Sequence, residues 1–285
     1  MNQNSNAMMG KICLVTGGTS GIGKVTATAL AALGAEVIIA GRNKQKAEAT
    51  VQEIVSATKN EAVQYLLADF SSLQQVRELA SSFKAHYSRL NVLVNNAGVF
   101  FNTRRKTPYG VEMTFLINHL APFLLTNLLI ETMRNSAPAR IVNVSSEAHK
   151  HGTMNFDDLG FENSYVGIKA YARSKLANIL FTYELAQRLS GSGVAVNAIH
   201  PGHVATNIWK NDFSFLGPAL KWVMGLFALT PEEGADNSIY LASSPELEGI
   251  TGKYFIKREP APSSPLSCDE TIARKLWKIS ERITI

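Results

Sequence analysis

Thr16-Gly17-Gly18-Thr19-Ser20-Gly21-Ile22-Gly23 lies between a short apolar run, Lys11–Thr16, and a stretch of helical character that continues to Leu33. Glycines here allow a tight turn and let backbone N–H groups approach an anion closely. The N-terminus of the following helix adds its dipole. Strand, glycine-rich turn and helix in that order describe a cradle for a pyrophosphate. A plain glycine-rich turn is the alternative, and the strand–turn–helix context at the chain start weighs against it. Gly17, Thr19, Ser20, Gly21, Ile22 and Gly23 are therefore expected to bind a dinucleotide.

Outward from this stretch the chain alternates. Apolar runs at Glu36–Ala40, Ala62–Ala68, Asn91–Asn95, Arg140–Val144, Val194–His200 and Lys253–Ile256 bring the strand candidates to seven. Between them lie helical patterns, including Leu73–Tyr87, Gly110–Met133, Tyr171–Leu189 and Pro231–Leu241. Short strands alternating with helices of ten or more residues mean βαβ units and a parallel sheet. Right-handed crossovers then give one α/β domain, doubly wound, with helices on both faces of about seven strands. It is expected to span 9–285. Met1–Met8 is polar and patternless and reads as a disordered leader or tag. The one linker-like stretch, Lys257–Ser267 with Pro260, Pro262 and Pro265, lies near the end and divides nothing.

Composition excludes several classes. Hydrophobic residues make up 46% of the 285, too many for a disordered chain. The net charge of +5 comes in no long basic block, so nucleic acid is not expected as a partner. No unbroken apolar run approaches the ~18 residues of a membrane span. Cys13 and Cys268 stand far apart in no metal-ligand spacing. They indicate neither a disulfide scaffold nor a zinc site, and a reducing, cytoplasmic setting is expected.

The end of the second strand bears on the cofactor. A carboxylate there would bond a ribose 2′-OH and favour NAD; this chain has Gly41-Arg42. A guanidinium suits a 2′-phosphate, so NADP(H) is expected. Asp69 ends the third strand, where it could accept from an adenine amino group or cap the helix that follows Ser71-Ser72.

With Asn95-Asn96-Ala97-Gly98 the pattern resembles the short-chain dehydrogenase/reductase family, whose fold is of the Rossmann type. Val142-Asn143-Val144-Ser145-Ser146, Tyr171-Ala172-Arg173-Ser174-Lys175 and Pro201-Gly202 extend the match from Lys11 to about Tyr254. Phe115–Phe123, Ser174–Asn178 and Gly252–Phe255 are similar to the retinol dehydrogenase-like branch, as is Ala273–Ser280. The resemblance implies cofactor contacts at Asn95, Ala97, Gly98, Tyr171, Lys175, Pro201, Gly202, Val204 and Thr206. It also implies a homodimer or homotetramer.

Tyr171 and Lys175, four apart, stack on one face of a helix. A phenol is a poor base at neutral pH, and a nearby ammonium is expected to lower its pKa. It can then exchange a proton with a carbonyl or alcohol oxygen. Tyr165 and Lys169 share the spacing, but Gly167 between them weakens a helix there. Ser146 can donate to the substrate oxygen; the family places its catalytic serine second in the doublet, ahead of which stands Ser145. Asn118 carries over as the residue that holds a water in the proton relay. The 25-residue interval from Ser146 to Tyr171 is longer than in many members and contains His149, Lys150 and His151. These read as a solvated loop, not as metal ligands. Arg104-Arg105-Lys106 reads as a solvated charge run, and His119 and His200 as structural.

Residues 204–229 stand at the family's substrate lid and are rich in apolar and aromatic side chains, which suits a lipophilic carbonyl or its alcohol. The same side chains could be core, or could rest on a membrane surface. Two other functions remain open at this stage. One is reduction of a C=C bond, as in the protochlorophyllide reductases. The other is a sensor that binds NADP(H) without turnover.

Overall fold

The computed structural model describes residues 6–202 and 229–284. Val204, Thr206, His203 and all of the expected lid except Leu229 lie outside the described residues. Strands β1 (Ile12–Thr16), β2 (Glu36–Gly41), β3 (Val63–Leu67), β4 (Val92–Asn95), β5 (Ala139–Val144), β6 (Val194–His200), β7 (Lys253–Ile256) and β8 (Glu259–Pro260) form one sheet, in the order β3-β2-β1-β4-β5-β6-β7-β8. The first seven pair in parallel; β8 runs antiparallel to β7, with Phe255 opposite Pro260. All seven expected strands are present. The eighth falls in the proline-containing stretch that reads as a linker, and two residues are too few to show a period.

The strands are legible because the sheet is covered on both faces. Every residue of β1 is buried. Ile12 and Leu14 face α3 (Leu73–His86), α4 (Met113–Arg134), α5 (Gly167–Arg188) and α7 (Glu270–Thr284). Cys13 and Val15 face α1 (Gly21–Ala32), α2 (Lys44–Thr58) and α6 (Pro231–Ser243). A strand buried on both faces shows a continuous apolar run instead of an alternation.

Three expectations are corrected. Met8 belongs to the fold: it is buried in the α1/α2-side core, and its N–H donates to the Leu33 carbonyl at 2.9 Å. Helix α5 begins at Gly167, four residues ahead of the expected start at Tyr171. And α4 is long and apolar enough to cross a membrane although Asn118 and His119 interrupt its apolar run. Its apolar window is 72% buried within the protein, against α3 and α5, so its hydropathy is that of a core helix. Residues Leu116–Leu120 of α4 wind as a π-helix, a geometry frequent at functional sites.

The C-terminal helix α7 buries Ala273, Leu276, Trp277, Ser280 and Thr284, one stripe at helical spacing. The Trp277 ring lies 4.9 Å from Phe123 of α4 and 5.9 Å from Phe181 of α5, and the Arg188 guanidinium sits 4.1 Å over it. This indole joins the last helix to the two helices that carry Asn118 and Tyr171. Trp277→Ala is expected to destabilise the protein by about 3–5 kcal/mol, as for large-to-small changes in a packed core. Urea unfolding of both proteins checks this, and a loss below about 1 kcal/mol would mean that α7 does not pin the core.

Candidate active site

The strand order reverses between β1 and β4, which opens a crevice at the carboxyl end of the sheet. The loop after β1 enters it through Gly17, at φ +65°. A Cβ on Gly23 would lie 2.4 Å from the Gly17 carbonyl oxygen, so only glycine lets α1 approach this turn. No side chain caps α1, and its first turn holds no acid. Its leading N–H groups are thus offered to an anion. Arg42 follows β2 and is exposed. Glycine turn, uncapped helix and cation together fit a phosphate-bearing dinucleotide. Thr19, Ser20 and Gly21 lie half-buried in the cradle. The Ile22 side chain packs inward with Ala235 and Leu229, so only its backbone can serve a ligand.

The loop after β4 forms the other wall. Thr16 Oγ1 accepts the N–H groups of Asn96 (2.9 Å) and Ala97 (3.0 Å), and Asn96 Nδ2 donates to the Thr16 carbonyl at 2.8 Å. Asn96, not Asn95, therefore props the cradle. The Asn95 side chain turns the opposite way and donates to Thr126 Oγ1 and Asn143 Oδ1 in the core, so only its backbone can serve a ligand. Successive residues leaving a strand point to opposite faces, and only the first of the two asparagines is in β4. At Gly98 a Cβ would lie 3.4 Å from Asn118 Oδ1 and 3.7 Å from Lys175 Nζ, so this loop runs directly beside the expected catalytic groups. Pro201 and Gly202 follow β6 and are half-buried.

On α5, Tyr171, Ser174, Lys175 and Asn178 occupy one helical face, at i, i+3, i+4 and i+7. Lys175 Nζ donates to the Val144 carbonyl at 2.9 Å and lies 5.5 Å from the centre of the Tyr171 ring. Phe100 packs its ring against Tyr171 from another side, 6.0 Å centre to centre. The serine doublet divides its work. Ser145 is buried and donates its hydroxyl to the Lys175 carbonyl at 2.8 Å. Ser146 is half-buried, accepts from the Ala148 N–H at 3.2 Å and hydrogen-bonds Tyr171. Asn118 Oδ1 accepts from the Val99 N–H (2.8 Å), while Nδ2 donates to the Val99 carbonyl and to Ser174 Oγ (both 3.0 Å). Its side chain thus clamps the β4 loop to the catalytic helix.

The electrostatics differ from expectation. Burial pushes the Tyr171 phenol up to about 12, with the Ser146 bond pulling the other way. Burial also brings the Lys175 ammonium down to about 8. Within the protein alone, desolvation outweighs any stabilisation of a phenolate by Lys175. The phenol is therefore protonated at neutral pH.

The competing pair does not form. Tyr165 precedes α5 and donates its hydroxyl to the Phe101 carbonyl at 2.7 Å, and Lys169 is exposed. Asp69 Oδ1 accepts from the Ser71 N–H and hydroxyl, and Ser72 caps α3. Its turn-forming role is thus on the structure. Arg104 is no solvated charge: it binds the Gly160 carbonyl and pairs with Glu162, while Arg105 lies over the Phe101 ring. His149 is no solvated residue either; it is fully buried, whereas Lys150 and His151 are exposed. His119 and His200 are structural, as expected. His119 Nε2 meets Ser280 Oγ at 2.9 Å, with burial holding its pKa near 3. His200 Nδ1 accepts from the Glu147 N–H at 3.3 Å.

The sequence profile of the short chain dehydrogenases matches residues 11–216. Retinol dehydrogenase 14 of Homo sapiens is 45% identical over 291 residues, covering 96% of this chain and 86% of that protein. Polyprenol dehydrogenase of Homo sapiens is 42% identical over 280 residues, with 96% and 85% covered. Among solved structures, a Mycobacterium paratuberculosis protein superposes with a TM-score of 0.78 at 32% identity, covering 97% of this chain and 94% of its own. The NADP active-site complex of Pseudomonas aeruginosa RhlG gives 0.71 at 28% identity, with 89% and 97% covered. The chain belongs to the short-chain dehydrogenase family, in its retinol dehydrogenase-like branch, and is an oxidoreductase acting between CH–OH and C=O.

Proposed function

We propose that this enzyme uses NADP(H) to interconvert a lipophilic, retinal-like aldehyde or ketone and its alcohol, through Ser146, Tyr171, Lys175 and Asn118. The carrying observation is the hydrogen bond between the Ser146 and Tyr171 hydroxyls, with Lys175 Nζ 5.5 Å from the centre of the phenol ring. Arg42 beside an uncapped α1 supports a 2′-phosphate. Relatives named for retinol and polyprenol, and the apolar composition of 204–229, support a lipophilic substrate.

When bound, the nicotinamide supplies or accepts the hydride at the carbonyl carbon. The chain positions the oxygen and moves the proton. The Ala148 N–H occupies one lone pair of Ser146 Oγ, and the hydroxyl hydrogen, given to the Tyr171 oxygen in the free protein, turns to the substrate oxygen when it binds. Tyr171, protonated at neutral pH, donates to that oxygen as negative charge develops on it. Lys175, held by the Val144 carbonyl, keeps a positive charge behind the phenolate so formed. Asn118 fixes the spacing of the β4 loop from α5 and supports the return of the proton.

Oxidation of NADPH and NADH against a panel of aldehydes and ketones, retinal included, tests the reading. Turnover of long apolar aldehydes with NADPH is expected. NADPH binding without turnover of any carbonyl would overturn it in favour of C=C reduction or sensing. Tyr171→Phe should lower kcat about 10²–10⁴-fold and leave the Kd for NADPH unchanged; wild-type turnover would remove Tyr171 from the chemistry. Arg42→Ala should weaken NADPH about 10- to 100-fold, the loss of a charge-assisted hydrogen bond, with NADH unaffected. Equal loss for both cofactors would deny Arg42 the 2′-phosphate. The phenol stays protonated well above neutral pH, but the Lys175 ammonium is present below about 8 and lost above it. Reduction should therefore decline above that pH in a profile of kcat/KM, and Lys175→Arg should move the decline upward.

A further inference from the structure

His149 lies three residues beyond the proposed catalytic serine, in the short helical turn Glu147–His151. Both its ring nitrogens are engaged, and the partners fix the tautomer. Nε2 accepts from the backbone N–H of Ser264 at 3.1 Å, so that nitrogen carries no hydrogen. Nδ1 meets the Ser146 carbonyl at 2.7 Å, and a carbonyl can only accept, so Nδ1 holds the hydrogen. The ring stacks edge-on against Tyr254 of β7, 5.0 Å centre to centre. Burial lowers its pKa, in keeping with a neutral imidazole.

Ser264 belongs to the arm that follows β8. This arm is built, not loose. Ser267 Oγ donates to the Ser264 carbonyl and lies 2.7 Å from Ser263 Oγ, which in turn meets the Tyr183 hydroxyl of α5 at 2.8 Å. The Ala261 N–H bonds the Tyr254 carbonyl. His149 is thus a rivet between two segments 115 residues apart in sequence. At one end is the residue whose hydroxyl must aim at the substrate.

We propose that His149 is a positioning residue for the reaction: a neutral imidazole that holds the backbone of Ser146 against the C-terminal arm and so sets the aim of the Ser146 hydroxyl. The Ser146 carbonyl takes both the backbone N–H and the ring N–H of His149. Its hydroxyl takes the Ala148 N–H of the same turn. A shift of this turn therefore redirects Oγ relative to Tyr171 and Lys175, which are carried by α5. The inference rests on Ser146 holding the substrate oxygen.

Ser264→Pro tests it without touching the site. Ser264 already has φ −66°, the proline value, and its own hydroxyl has no partner among the described residues. The variant removes the N–H that His149 accepts and sets the proline Cδ against Nε2, so the rivet cannot form. Amide hydrogen exchange over residues 147–152 should rise by about tenfold, and kcat for the fastest carbonyl substrate should fall severalfold with the NADPH Kd unchanged. Unchanged exchange over 147–152 overturns the rivet, and it does so whether or not any carbonyl is turned over. His149→Phe keeps the ring against Tyr254 but loses both hydrogen bonds. Its kcat should fall about 10- to 100-fold, the range for a misplaced catalytic group, at constant NADPH affinity. His149→Asn can still offer an N–H to Ser146 and should recover most of that loss. Equal losses in the two variants, tracking their melting temperatures, would make His149 merely structural and overturn the proposal. Ser146→Ala separates the two readings. Its full activity would sink the role of Ser146; its inactivity alongside a wild-type His149→Phe would sink the rivet alone.

Discussion

A lysine ammonium only 3% exposed must find an acceptor, because an unpaired buried charge costs several kcal/mol. Lys175 finds it in the Val144 carbonyl, the last of β5. Asn178 Nδ2 donates to the same oxygen at 3.3 Å. Ser145, the next residue in the chain, returns a bond from its hydroxyl to the Lys175 carbonyl. The end of a central strand and the middle of α5 are thereby locked in both directions. Tyr171 is set one turn up that helix and Ser146 two residues past the strand. The Val99 loop is then tied to the pair through Asn118 and Ser174. The mutual placement of the Ser146 and Tyr171 hydroxyls follows from one buried charge and its acceptor.

The frame of the fold was legible because its signals are local. A parallel strand buried on both faces is a short apolar run, and the glycine turn after β1 sits where only glycine fits. The four-residue spacing of Tyr171 and Lys175 is a helical fact. Distinguishing Ser145 from Ser146 needed the family resemblance, and the structure shows how two identical neighbours differ: one hydroxyl bonds the backbone of α5 and the other the Tyr171 phenol.

What was not legible depends on distant partners or on desolvation. Asn95 and Asn96 look alike, and only the pairing of the strand ends decides which one meets the cradle. His149 reads as solvated because Lys150 and His151 beside it are; its partner lies 115 residues away, in a stretch that reads as a linker. Asn118 sits in a π-turn, which no period of 3.6 announces. The phenol of Tyr171 rises instead of falling because its burial comes from the packing of Phe100 and the surrounding helices, not from its neighbours in sequence.

The short eighth strand gives the sheet two unlike margins. At β3 no further strand of the described residues continues the sheet, and Leu67 is exposed. At the other margin, Glu259 and Pro260 lie along β7, and a proline has no N–H with which to template another strand. Backbone-directed aggregation is therefore blocked at the margin beside the Ser264 arm, and a misfolded or stressed chain would recruit others through β3, at the far side of the cradle from the serine turn.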